Sequence, residues 1–158
     1  MKKSIGALIL IVTAAVLGAC NGNNAVNAPP GSGSNCGGPP SSNKLEVLYP
    51  IPGATGAPAT LSNIYVATKG ALPPSNLFNF YIVASNGTST FTSQFFGVNP
   101  SKIPSPSATP SYSGATYYAS SIPPSYPVSP ATTYNVYWND GGTGCTPHVL
   151  VSNFTTAQ

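Results

Sequence analysis

The sequence predicts an all-β fold, a sandwich of about seven strands, and three observations carry that expectation. First, 18 Pro and 16 Gly among 158 residues interrupt any helical periodicity every few positions, since Pro removes a backbone donor and Gly adds chain entropy. Second, nine Tyr and six Phe, with abundant Thr and Val, suit a pleated surface better than a helix. Third, from Leu45 onward short alternating or aromatic runs recur between turn signals at the spacing of a two-sheet sandwich.

Seven runs are expected as strands: 45–49, 61–68, 78–84, 90–97, 115–121, 133–139 and 148–155. In the first, Leu45, Val47 and Tyr49 share a face; in the second, Ile64 and Val66; in the third, Phe78, Phe80 and Ile82. These are the expected core residues. In the sixth, Tyr134, Val136 and Trp138 lie opposite Asn135, Tyr137 and Asn139, while the consecutive Val149, Leu150 and Val151 leave the last strand's inner face open. Between the first two runs, residues 50–58 hold Pro50, Pro52, Gly53, Gly56 and Pro58, so a loop is expected there. Asn86-Gly87 and Asp140-Gly141 read as hairpin turns. Residues 98–114, with Pro100, Pro104, Pro106 and Pro110, cannot pair centrally and are expected as a long crossover or an extended edge segment, the functional alternative being an exposed recognition loop.

The chain starts Met-Lys-Lys, continues with an apolar run from Ile5 to Leu17, and reaches Leu17-Gly18-Ala19-Cys20. A run of about a dozen residues is shorter than the roughly 20 that span a bilayer, so this pattern reads as an export signal in residues 1–19. Leu17-Gly18-Ala19-Cys20 resembles the lipobox of bacterial lipoproteins. The resemblance implies cleavage between Ala19 and Cys20, a lipid (palmitate among the acyl chains) on Cys20, and a membrane anchor. Several acyl chains hold a protein durably, because each buried methylene contributes about 0.8 kcal/mol. Asn21 rather than Asp after the Cys implies the outer membrane in a cell with two membranes, and otherwise the outer face of the cytoplasmic membrane.

Residues 20–44 then carry the lipidated Cys and a tether. From Asn21 to Lys44, 19 of 24 residues are Asn, Gly, Pro or Ser, which bury almost nothing, so the segment is expected to be disordered. With Cys20 acylated, Cys36 and Cys145 are the remaining pair, and an oxidising compartment makes a disulfide between them the default expectation. Free thiols and an intermolecular bridge are the alternatives. Closing that long loop would stabilise by up to about 4 to 5 kcal/mol in the chain-entropy account.

Residues 45–158 form the expected sandwich domain. The run Val128-Ser-Pro130-Ala-Thr132-Thr-Tyr134, followed by Asn-Val-Tyr, resembles the turn entering the penultimate strand of fibronectin type III and bacterial Ig-like domains. The opening Tyr49-Pro-Ile-Pro-Gly-Ala-Thr-Gly56 and the closing Asn153-Phe154-Thr155-Thr156 are also similar to these domains. The resemblance implies that Tyr134 is a tyrosine corner, its hydroxyl bonded to upstream backbone. It implies a scaffold for display or recognition and transfers no catalytic residue.

Charge excludes much else. Removing Lys2 and Lys3 with the signal takes the formal charge from +3 to +1, and Lys44, Lys69 and Lys102 are isolated. No cationic run exists to neutralise phosphates, so nucleic acid is not an expected partner. Glu46, Asp140 and His148 are the whole inventory of carboxylates and imidazole, with neither a nucleophile elbow nor metal-ligand spacing. No catalysis, metal or cofactor is expected. Tyr112, Tyr117, Tyr118, Tyr126, Tyr137 and Trp138 outnumber what one inward face can take, so several are expected at the surface. The expected function is a non-catalytic, membrane-anchored envelope lipoprotein making structural or protein–protein contacts, with an envelope protein as partner. The alternative is a carbohydrate-recognition module touching glycan through Tyr137 and Trp138.

Overall fold

The computed structural model describes residues 44–72, 78–139 and 149–158. Nine strands form among them: β1 (Glu46–Tyr49), β2 (Ala54–Ala57), β3 (Asn63–Lys69), β4 (Asn79–Ala84), β5 (Ser89–Phe91), β6 (Phe96–Gly97), β7 (Ala115–Ser121), β8 (Thr133–Asn139) and β9 (Leu150–Thr156). They build two packed sheets, in the orders β1-β3-β7-β6 and β2-β9-β8-β4-β5. Every pairing is antiparallel except β2 with β9. The protein is an all-β sandwich of a four-stranded and a five-stranded sheet.

Alternation sets the interior. Ile64 and Val66 from β3 meet Phe80 and Ile82 from β4, Tyr134, Val136 and Trp138 from β8, and Phe154 from β9. A bulge in β9 opposite Val136 and Tyr137 settles the last strand: Ser152, Phe154 and Thr156 are buried, Val151 is half-buried against the core, and Leu150 is exposed. In β1 a bulge falls between Val47 and Tyr49; Val47 belongs to the core, and Leu48, outside that cluster, is buried as well.

Three expectations need correction. Residues 54–57 are a strand, although breakers surround them. A strand at a sheet margin needs partners on one side only, so Pro52 and Pro58 can bracket it without costing a ladder bond. Gly53 N–H donates to Asn153 O at 2.8 Å, and Ala157 N–H donates to Ala57 O at 2.8 Å. The run 90–97 is two strands in different sheets, because the chain changes layer at Thr92 and Ser93. Thr92 Oγ1 accepts the Phe80 N–H at 2.9 Å and lies 2.6 Å from Ser120 Oγ, while Ser93 N–H donates to Ser121 O at 2.7 Å. Hydroxyls thus add to the backbone bonds, Thr92 N–H to Phe80 O among them, where the chain crosses.

The proline-rich segment 98–114 is a strap, not a crossover between sheets. It leaves β6 and returns to β7 in the same sheet after reaching the far margin, where Ala108 N–H donates to Leu48 O at 3.0 Å. Glu46 fastens it, accepting from Ser111 N–H at 2.9 Å and from Ser111 Oγ. Pro104 lies beside Tyr49 and Tyr65, and Tyr112 beside Tyr117, so the strap passes over the outward face of β3 and β7. Ala67 and Ala119, outward by alternation, are accordingly fully buried.

Candidate functional site

β1, β2, β4, β7 and β9 run the same way, so the connections β2–β3, β4–β5 and β7–β8 gather at one end of the sandwich. Lys44, where the chain enters β1, lies at the other. The connections enclose three adjoining hollows. One, of about 190 Å³, is lined by Tyr49, Pro58, Ser62, Asn63, Tyr65 and Pro104. A second, of about 220 Å³, shares Thr60, Leu61 and Ser62 with it and adds Pro123, Pro124 and Pro127. The third, of about 210 Å³, shares Pro127 and adds Asn86, Thr88, Ser129 and Tyr126. No charged side chain lines any of them. Rings, prolines, hydroxyls and amides can offer stacking and neutral hydrogen bonds, and nothing that moves a proton at neutral pH.

Local sequence explains this end. Asn86-Gly87 makes the β4–β5 turn, with Gly87 at φ +86° and Asn86 Oδ1 accepting the Thr88 N–H at 2.9 Å. The β7–β8 connection is held by Tyr134, whose hydroxyl accepts the Ser129 N–H at 2.7 Å while its ring stacks on Phe154 with centroids 5.2 Å apart. Thr156 completes the arrangement by accepting the Thr132 N–H at 3.0 Å and donating to Ser129 O at 2.5 Å. This is the geometry of a tyrosine corner.

The aromatic residues expected at the surface are elsewhere. Trp138 is fully enclosed, between Phe78 at 5.1 Å and Phe95 at 5.7 Å. Tyr137 is on the outward side of its sheet yet only 4% exposed, in a small cluster with Tyr81 and Val83. Neither offers a ligand the open ring face that the glycan expectation placed there. Tyr112, Tyr117, Tyr118 and Tyr126 are all half-buried. The count exceeded one inward face because the domain buries aromatics in three places: the core, the outward face of the five-stranded sheet, and beneath the strap. Counting inward positions could not reveal the last two. Tyr49, expected as a core residue, is half-buried at the core's margin, and with Tyr65, which the sequence did not single out, it packs edge to face at 6.2 Å beside a hollow.

Burial pushes several phenols up. Tyr112 is raised to about 12, chiefly by burial and then by the nearby Glu46 carboxylate and Tyr117. Tyr49, Tyr126 and Tyr137 are raised in the same direction, burial again leading. A phenol that holds its proton more tightly when folded contributes stability that is complete below pH 10 and lost as the pH rises toward about 12. The melting temperature is therefore expected to fall across that window. Tyr112→Phe should flatten the fall, and phenolate absorbance should show a late-titrating group that the variant lacks.

Ala19, Cys20, Cys36, Asp140, Cys145 and His148 lie outside the described residues, as do the signal and nearly all of the tether. Among the described residues no three of His, Cys, Asp and Glu come together, and no helix is long and apolar enough to cross a membrane. No family model matches the chain, no curated protein matches it, and no solved structure matches it.

Proposed function

We propose that this is an exported lipoprotein, anchored through Cys20, whose Ig-like sandwich acts by contact rather than catalysis on envelope proteins. The observation that carries the reading is the sequence Leu17-Gly18-Ala19-Cys20 after a short apolar run, followed by a tether and domain with few charges. The end of the domain away from Lys44 supports it, because its hollows are lined only by neutral groups and face away from the anchored side. The anchor would sit in the outer membrane of a cell with two membranes, or on the outer face of a single one. Fatty acid supplied to growing cells should label the protein, and Cys20→Ser should abolish the label. A wild-type chain that stays unlabelled and is released into the medium would end this reading.

A second reading, recognition of a neutral glycan, is favoured by one feature: Tyr49 and Tyr65 stand with Ser62 and Asn63 around a single hollow. Rings that stack and amides that hydrogen-bond are the groups sugars require. Saturable glycan binding lost in Tyr65→Ala would select it over protein contact.

A further inference from the structure

We infer that Asn86 is a modification site, where the carboxamide is converted to a carboxylate through a cyclic imide with the Gly87 nitrogen, and that Thr88 sets the rate. The inference goes beyond the contact reading above and does not depend on it. The Gly87 nitrogen gives its proton to solvent base and bonds to Asn86 Cγ, the Cγ–Nδ2 bond breaks, and ammonia leaves. Water then opens the imide at either carbonyl. The product is aspartate or, where the main chain now runs through Cγ, isoaspartate.

Such a ring closes readily when the neighbouring nitrogen carries a proton and nothing crowds its approach. Among the described residues, Asn63, Asn79, Asn135, Asn139 and Asn153 lie in strands, each before a residue other than Gly. Asn99 precedes Pro100, whose nitrogen carries no proton. Asn86 alone precedes a glycine, and Asn86, Gly87 and Thr88 are all exposed. Gly87 has nothing within 4 Å of the point where a side chain would start. The turn leads into β5, a strand of three residues at the sheet margin, so little ladder holds the hairpin closed.

The same turn restrains the reaction. Gly87 N–H donates to Ala84 O at 2.9 Å, and Asn86 Oδ1 accepts the Thr88 N–H at 2.9 Å and the Thr88 hydroxyl at 2.5 Å. While these bonds stand, the nitrogen is tied to another carbonyl and the carboxamide is held in place. Conversion therefore proceeds from brief openings, and Thr88, the donor of two of the three bonds, is the brake. Aspartate can accept from the same donors, more strongly for its charge. Isoaspartate lengthens a loop whose ends are joined by Ala84 N–H and Thr88 O at 2.8 Å, and so loosens the pairing of β4 with β5. Either product brings a negative charge into the hollow that Asn86 shares with Thr88, Tyr126 and Ser129, where no charged side chain stands.

The test incubates the mature chain, residues 20–158 with Cys20→Ser, at mildly alkaline pH, with and without urea. Trypsin then releases residues 70–102, which carry Asn76, Asn79, Asn86 and Asn99, and fragment masses locate the converted residue. Conversion at Asn86 is expected in the folded chain, slower than in urea by about tenfold or more, since three bonds must open. Thr88→Ala should hasten it about two- to tenfold, with melting curves close together because Thr88 is exposed. Thr88→Ser, which keeps the hydroxyl, should convert as the wild type does. Asn86→Asp should keep the melting temperature and elute from an ion exchanger with one of the aged species. A folded chain in which Asn86 stays unconverted, or converts no faster than Asn79 and Asn99, would overturn the site. Equal rates in folded and unfolded chain, or a rate indifferent to Thr88→Ala, would overturn the brake.

Discussion

Trp138→Ala is expected to destabilise the domain by about 3 to 5 kcal/mol, a large share of the roughly 5 to 15 kcal/mol that holds a domain of this size together. The indole is fully buried and packs against Phe78 and Phe95, rings contributed from outside its own strand. Removing it leaves a void that these neighbours cannot close without giving up their own packing, since the core around them already interdigitates. Urea denaturation followed by circular dichroism would measure the loss. A cost below about 1 kcal/mol would mean that the ring does not occupy this position. The expectation also changes how the variant is used: lost binding in Trp138→Ala would report unfolding rather than a missing ligand contact.

The second large effect is expected at Tyr134. Tyr134→Phe retains the ring that stacks on Phe154 and deletes only the oxygen that accepts the Ser129 N–H. The cost should be about 0.5 to 1.5 kcal/mol, because the deleted bond is partly buried and water can reach the exposed Ser129 amide in its place. Ser129 amide exchange should accelerate in the variant beyond what the global loss of stability explains. Equal protection in both proteins would show that the corner bond does not hold this connection.

What could be read from the sequence followed the strength of local periodicity. Val47, Ile64, Val66, Phe80 and Ile82 were legible as core because alternation over several residues leaves one apolar face, and all are buried. The Asn86-Gly87 turn was legible because a positive φ asks for Gly. β2 was hidden because its breakers mark a loop unless one knows that it lies at a margin, and sequence does not reveal margins. The split of 90–97 was hidden for a related reason: Thr92 reads as one more β-branched strand residue, and only its bonds to Phe80 and Ser120 show that the chain turns inward there. The strap was read as a long connection, yet nothing local shows that it returns to its own sheet or that Glu46 receives Ser111. At the candidate site, Pro58 was visible as a breaker, but its meeting with Pro123, Pro124 and Pro127 around adjoining hollows comes from topology.

The margins of the two sheets carry a consequence of their own. β5 and β6 have only three and two residues, β2 is bracketed by Pro52 and Pro58, and the strap lies along β1 through Ala108. Most sandwiches also place lysines on such rims to repel a neighbour, a device scarcely open to a chain with five cations in all. Shortness, ring closure and self-coverage must take over that duty. At the density that anchoring to a lipid film would impose, they keep adjacent copies from zipping into fibrils.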